Sequence, residues 1–120
     1  MAFMFENLEV YQKSVDLADQ LLIATSGFAR GFYFLSDQLN RACVSIVTNL
    51  AEGNGRFTKA DRKNFFTIAR GSAQECVPLI ELAHRRGLVS DAQYSQFRSE
   101  LEIIGKMLPD LVNGMENRKA

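Results

Sequence analysis

The only histidine of the chain lies in a spacing that some metal enzymes use, so it is the first candidate for chemistry. Glu81 and His84 form a Glu-x-x-His pair on a predicted helix, the local spacing found in di-iron carboxylate proteins built on four-helix bundles. Such a site needs a second pair and two further glutamates, whereas here the cations Arg85 and Arg86 follow the lone histidine. The sequence therefore predicts no metal, no cofactor and a surface position for His84 near a helix end.

Nucleophilic catalysis has no better support in the sequence. A thiol or hydroxyl nucleophile needs a base that a third group orients, and His84, the only imidazole, lies far along the chain from Cys43. The Gly-Asn-Gly segment at residues 53–55 connects two predicted helices, so it is not a phosphate-binding loop after a strand. We therefore expect no enzymatic activity, and we expect Cys43 and Cys76 to be reduced, buried thiols of a cytoplasmic protein.

Basic residues concentrate in the middle of the chain although its net charge is zero. Residues 30–70 hold seven bases and three acids, whereas residues 1–29 hold one base and four acids. This excess around the Gly-Asn-Gly turn would suit contacts with RNA phosphates. Solvated charge that keeps an assembly soluble is the favoured alternative, because Phe57 is the only aromatic side chain there that is expected to be exposed for base stacking. The candidate nucleic-acid-binding residues are Arg41, Arg56, Lys59, Arg62 and Lys63.

A second group of polar residues follows one face of an otherwise apolar helix and continues on the next helix. On the first of these helices the polar positions recur every three or four residues, so they share a face. Buried polar groups persist only when they are paired or hydrogen-bonded. We interpret the group as a structural network that fixes helix register and subunit orientation, with a ligand site as the alternative. Its predicted members are Arg41, Ser45, Asn49, Glu52, Arg70 and Glu75.

Two predicted helices precede the basic turn. Helix one covers about residues 7–25 and ends at Gly27, which is suited to a left-handed C-cap. Helix two begins at an N-cap, Ser36, and ends at the glycines of residues 53–55. The apolar stripes that indicate these helices are Leu8, Tyr11, Val15, Ala18 and Leu22 in helix one, and Leu39, Ala42, Ile46 and Leu50 in helix two.

Two more predicted helices follow the turn. Thr58 with Asp61 forms a capping box that opens helix three, which ends at Gly87 and is expected to kink at Pro78. Ser90 or Asp91 caps helix four, and a polar tail follows at residues 117–120. Helix three has two neighbouring apolar stripes: Phe65, Ile68, Ser72, Cys76, Leu79 and Ala83, and Phe66, Ala69, Ala73 and Ile80. Helix four has one heptad pattern: Tyr94, Phe97, Leu101, Ile104, Leu108, Leu111 and Met115.

Short connections between helices of this length make neighbouring helices antiparallel. The sequence therefore predicts an all-α, up-down-up-down four-helix bundle that forms a single domain over residues 1–120, with Phe28, Phe32 and Phe34 folded over one end. Helices two and three carry more apolar surface than a small bundle buries, which predicts a homo-oligomer. No apolar run is long enough to cross a membrane, and residues 1–10 lack the basic start of a signal peptide.

Three sequence blocks also carry a family resemblance: residues 5–14, residues 38–56 with Asn-Leu-Ala-Glu-Gly-Asn-Gly-Arg, and residues 65–75 with Ile-Ala-Arg-Gly-Ser. In this order and spacing they resemble four-helix-bundle proteins encoded by intervening sequences of bacterial 23S ribosomal RNA genes. That family is related to the accessory variability determinant proteins of diversity-generating retroelements. The resemblance implies a homopentameric, barrel-like ring with a central channel and no known enzymatic activity.

For the retroelement relatives, the resemblance further implies that a strongly basic surface binds nucleic acid and a reverse transcriptase. This chain departs from that pattern in its neutral net charge and at Asn40, where the family commonly carries arginine. Two functions therefore stay open. One is a non-enzymatic, pentameric scaffold that binds RNA or a ribonucleoprotein weakly near Arg56 and Lys59. The other is a protein–protein interaction module that binds no nucleic acid.

Overall fold

The computed structural model describes residues 3–113, and four long helices occupy most of that range. The helices are α1 (Glu9–Thr25), α2 (Tyr33–Asn54), α3 (Lys59–Arg85) and α4 (Asp91–Val112), with short 3-10 helices at Met4–Asn7 and Arg30–Phe32. Each helix packs against the next one along the chain, and α1 also packs against α4. The four helices thus close into the predicted all-α bundle, with extents of 44 × 28 × 25 Å.

Both helices that follow the basic turn begin at the predicted caps. The Thr58 hydroxyl accepts a hydrogen bond from the Asp61 backbone N–H (3.1 Å) at the start of α3. The Asp61 side chain returns no bond to the Thr58 N–H, so the predicted capping box is only half formed. The Ser90 hydroxyl accepts a hydrogen bond from the Gln93 N–H (3.1 Å), and the Ser90 N–H donates one to Gln93 Oε1 (2.8 Å), which completes a capping box. These bonds satisfy backbone donors that a helix start leaves without partners.

The heptad of α4 is confirmed wherever the structure describes it. Its five positions from Phe97 to Leu111 are buried, and Tyr94 is partly buried against the core; Met115 and residues 117–120 lie outside the described residues. In α3 the predicted stripe of Phe66, Ala69, Ala73 and Ile80 is buried throughout. The other predicted stripe is buried at Cys76 and Ala83, whereas its Ile68 is exposed. Pro78 lies inside α3, which continues past it to Arg85.

The predicted core face of α1 is confirmed at Leu8 and Ala18, with Tyr11 partly buried against the core, but it is wrong at two positions. Val10, Leu17 and Leu21 are buried, whereas the predicted Val15 and Leu22 are exposed. Both sets recur at helical spacing, so the periodicity of a broadly apolar helix does not decide between adjacent stripes. The packing against α2 and α4 decides it, and it leaves apolar side chains of α1 at the surface.

The predicted start of α2 and the predicted left-handed cap at Gly27 need correction, whereas α1 and α2 end at Thr25 and Asn54 as predicted. α2 begins at Tyr33, not at Ser36, because the 3-10 helix before it leads directly into the first turn; the Ser36 hydroxyl donates to the Tyr33 carbonyl (3.0 Å). The helices α1 and α2 end in right-handed conformations at Ser26 and Gly55. Within residues 3–113 only Gly87 has a positive φ, of 74°, and it follows α3 as predicted.

The remaining expectations about the core are met in part. Phe28 is buried over the end of the bundle and Phe32 is half-buried, whereas Phe34 is exposed. Cys43 and Cys76 are free and fully buried, as predicted. No helix in the described part of the chain has both the length and the apolar character that a membrane crossing needs.

Candidate nucleic-acid interface

The turn between α2 and α3 can be tight because a glycine lies where the two helices meet. A Cβ atom on Gly53 would stand only 2.7 Å from Cε1 and 2.9 Å from Cδ1 of the buried Phe66 ring, and 3.0 Å from Cβ of Phe65. Real side chains do not tolerate such separations, so glycine allows the last turn of α2 to pack directly on α3. This contact fixes the position of the residues that follow.

Arg56 is held in place by two neighbours. Its Nη2 atom lies 3.0 Å from Glu52 Oε2, and its guanidinium carbon lies 4.6 Å from the centre of the Phe65 ring. Both charged side chains are about half-exposed, so the ion pair itself contributes little stability. The guanidinium is oriented by these contacts, while its charge is partly balanced by the carboxylate.

The structure gathers four of the five candidate nucleic-acid-binding residues at this end of the bundle. Lys59 and Lys63 are exposed on the first turns of α3, next to Arg56, and Arg62 is half-buried with no hydrogen-bond partner for Nε among the described residues. Arg41 lies four helical turns earlier on α2, about 20 Å away along the axis. It belongs to a different part of the surface.

An open cavity of about 630 Å³ lies beside this basic cluster. Its apolar walls come from Phe5, Ala51 and Phe57, and its polar lining comes from Thr48, Glu52, Arg56 and Asp61. Phe57 is 98% exposed. Nothing in the sequence marks Phe5 or Thr48 as part of a site, because the fold alone brings the N-terminal 3-10 helix to the α2–α3 turn.

The polar network in the structure contains fewer of the predicted residues than expected, and it includes Ser72, which the sequence pattern placed in an apolar stripe. Asn49 Nδ2 donates to the carbonyl (2.8 Å) and the hydroxyl (3.0 Å) of Ser45, and the Ser45 and Ser72 hydroxyls share a hydrogen bond of 2.7 Å between α2 and α3. Within the described residues, Arg41, Arg70 and Glu75 are exposed and make no side-chain hydrogen bond or ion pair. Glu52 pairs with Arg56 instead, and the network contains Ser72.

The side chains considered as catalytic candidates, His84 and the two cysteines, are respectively held by neighbouring side chains and buried. His84 Nε2 lies 2.6 Å from Asp91 Oδ1, and its ring stacks on Tyr94 with centroids 4.4 Å apart. Burial raises the pKa of the Cys76 thiol to about 12 and also raises that of Cys43, so both thiols stay protonated. Among residues 3–113, no three histidine, cysteine or carboxylate side chains form a group that could hold a metal ion.

Comparisons with known proteins point to one family. The model of the 23S rRNA-intervening sequence protein family matches residues 6–110. A solved structure from Bacteroides thetaiotaomicron VPI-5482, described as a protein with unknown function from the S23 ribosomal protein family, is similar with a TM-score of 0.79. It is 24% identical over 87% of this chain and 95% of that chain, which shows a shared fold. No functionally curated protein matches the chain.

Proposed function

Because the chain belongs to the 23S rRNA-intervening sequence protein family, we propose that it is a non-enzymatic scaffold that assembles into a homopentameric ring. The ring is proposed to bind RNA or a ribonucleoprotein weakly through the α2–α3 turn, in the cytoplasm. The similar solved structure is described as having unknown function, and neither comparison names an enzymatic activity. The proposal therefore rests on the surface of this chain.

The observation that carries the scaffold proposal is the apolar surface of α2 and α3. Val44, Ile68 and Leu82 each expose between 42% and 52% of their surface, and Tyr33 and Phe34 expose more. Single exposed apolar residues are ordinary, and α1 and α4 also expose Ile23 and Ile103. The support for an interface on α2 and α3 is that the two helices together carry five such side chains. A heterologous contact between identical copies closes into a ring when the rotation allows it. Light scattering at micromolar concentration tests this assembly.

The support for RNA binding is the basic cluster at Arg56, Lys59, Arg62 and Lys63. Contacts with phosphates release counterions, so the affinity of such a site falls as salt rises. In filter binding with a structured RNA, the double variant R56A/K59A should bind about tenfold more weakly or worse, with a shallower salt dependence. Binding that ignores salt, or no binding by the unmodified protein, would contradict the RNA proposal.

A matched control exists at the opposite end of α3. Arg85 and Arg86 are also exposed and basic, and about 40 Å of helix separates them from the α2–α3 turn. R85A/R86A removes the same number of charges as R56A/K59A, so equal losses in the two variants would indicate attraction by net charge without a defined site. We expect R85A/R86A to retain most of the binding.

The alternative function is a protein–protein interaction module. The same exposed apolar side chains favour it, since Phe34 and Leu82 would suit a protein partner as well as a second copy. Under this alternative a partner captured from lysate remains bound after nuclease treatment. Loss of the captured partner on nuclease treatment would favour the ribonucleoprotein proposal instead.

A further inference from the structure

Phe57 is the most exposed of the large apolar side chains that the structure describes. At 98% exposure it contributes nothing to the core of its own chain. It lies between Arg56 and Thr58 at the tip of the α2–α3 turn, and two lysines follow within six residues. An aromatic ring among cations on a nucleic-acid-binding surface provides a platform on which a base can stack.

An open cavity beside Phe57 has room for a base. Its volume of about 630 Å³ falls within the range of roughly 300–1,000 Å³ that is usual for small-molecule sites. Phe5 forms another wall and is itself held by Tyr11, which it meets edge-to-face with centroids 4.9 Å apart. The cavity is therefore bounded by one ordered aromatic ring and one fully exposed ring.

The polar lining of the cavity complements a nucleotide in two ways. Arg56, Lys59 and Lys63 supply positive charge for the phosphates of a strand that passes the turn. Glu52 and Asp61 line the cavity, and their carboxylates can accept hydrogen bonds from the amino groups of a base, as acidic residues do from cytosine. Arg56 lines the cavity with the two carboxylates and is paired with Glu52, so Asp61 is the carboxylate without a paired cation there, and Lys59 and Lys63 lie outside the lining.

We propose that this cavity binds one unpaired nucleobase of an RNA strand, with Phe57 stacking on the base and the basic cluster holding the neighbouring phosphates. This inference rests on the proposed RNA binding and makes it more specific. The ligand must be single-stranded or looped, because bases inside a duplex are stacked on each other and cannot enter a side pocket. A duplex should contact only the cations.

The test uses the intact protein and one short, non-self-complementary oligoribonucleotide, either free or annealed to its complement. Stacking contributes about 1–3 kcal/mol per base by alanine substitution, so F57A should weaken binding of the single strand at least fivefold and leave the duplex affinity unchanged. The salt dependence of single-strand binding should stay the same in F57A, because phenylalanine carries no charge. F57Y, which keeps the ring, should bind like the unmodified protein.

A direct readout of stacking is also available. The chain contains no tryptophan, so F57W places a single indole at the site, and its fluorescence should be quenched by the single strand but not by the duplex. Because Phe57 is exposed, none of these substitutions should alter folding.

The results that overturn the inference differ from those that overturn RNA binding altogether. If the unmodified protein binds neither RNA, the proposed function and this inference both fail. If it binds RNA but F57A leaves single-strand affinity unchanged, or lowers single-strand and duplex affinity equally, only the nucleobase site is refuted. If F57A instead reduces the mass of the assembly, Phe57 is a contact between copies of the chain and the inference is wrong.

Discussion

Gly53 packs where α2 meets α3 with no room for a Cβ atom, so replacing it by alanine tests the fold at the point that positions the basic turn. The added Cβ would lie 2.7 Å from Cε1 and 2.9 Å from Cδ1 of Phe66, and 3.0 Å from Cβ of Phe65. The Phe66 ring is only 4% exposed, so it has no free space into which to move. Either the ring or the end of α2 must shift.

Two opposing terms set the size of the effect. Overpacking a well-filled core costs about 1–3 kcal/mol, and three contacts at or below 3.0 Å place G53A in the upper half of that range. Alanine in place of glycine inside a helix recovers about 1 kcal/mol. We therefore expect G53A to lower the free energy of unfolding by about 1–2 kcal/mol. For a domain of this size, that lowers Tm by roughly 4–8 °C.

Gly105 is the matched control because it also lies inside a helix but has open space where its Cβ would be. G105A should raise the free energy of unfolding by about 0.5–1 kcal/mol. Urea unfolding followed by circular dichroism, at one fixed protein concentration, measures both variants. If G53A proved as stable as G105A, the tight contact between α2 and Phe66 would be refuted.

Three further predictions concern two half-buried polar side chains and the two buried thiols. S72A should lower the free energy of unfolding by about 1 kcal/mol, because the Ser45 hydroxyl loses its partner on α3; an unchanged urea midpoint would contradict this. Cys43 and Cys76 should resist a thiol reagent at pH 8 until denaturant is added, because burial keeps their pKa values raised; rapid labelling of the native protein would contradict it. Desolvation raises the pKa of Glu100, whose Oε2 has no hydrogen-bond partner in the described chain. The folded protein therefore holds the ionised carboxylate less favourably than the unfolded chain does, and the free energy of unfolding is lower when Glu100 is ionised. E100Q should therefore stabilise the protein at pH 7 by up to about 0.5 kcal/mol, and urea unfolding should show the gain vanish as the pH falls below the ordinary carboxyl value of 4.5; a gain independent of pH would contradict this.

The parts of the fold that local chemistry determines could be predicted from the sequence. Thr58 and Ser90 cap their helices because each hydroxyl reaches a backbone N–H three residues on, a contact contained in the sequence spacing. The heptad of α4 repeats through the whole helix, so its periodicity selected Ile104 for the core and not the adjacent Ile103, which is exposed.

The parts that depend on neighbouring helices could not be predicted in the same way. Val15 and Val10 both belong to apolar stripes of α1, and only the packing of the bundle selects Val10 for the core. The same holds for the site. Basic residues close in sequence, such as Arg56 and Lys59, were found from composition, whereas Phe5 reaches the cavity from about fifty residues away along the chain.

Self-association of α2 and α3 surfaces is the claim on which the proposed scaffold depends, and the mass of the particle in solution tests it most directly. Size-exclusion chromatography with multi-angle light scattering at micromolar concentration should give five copies of the 13.5 kDa chain, a mass of about 68 kDa. A single species of 13.5 kDa would contradict the assembly and, with it, the scaffold function.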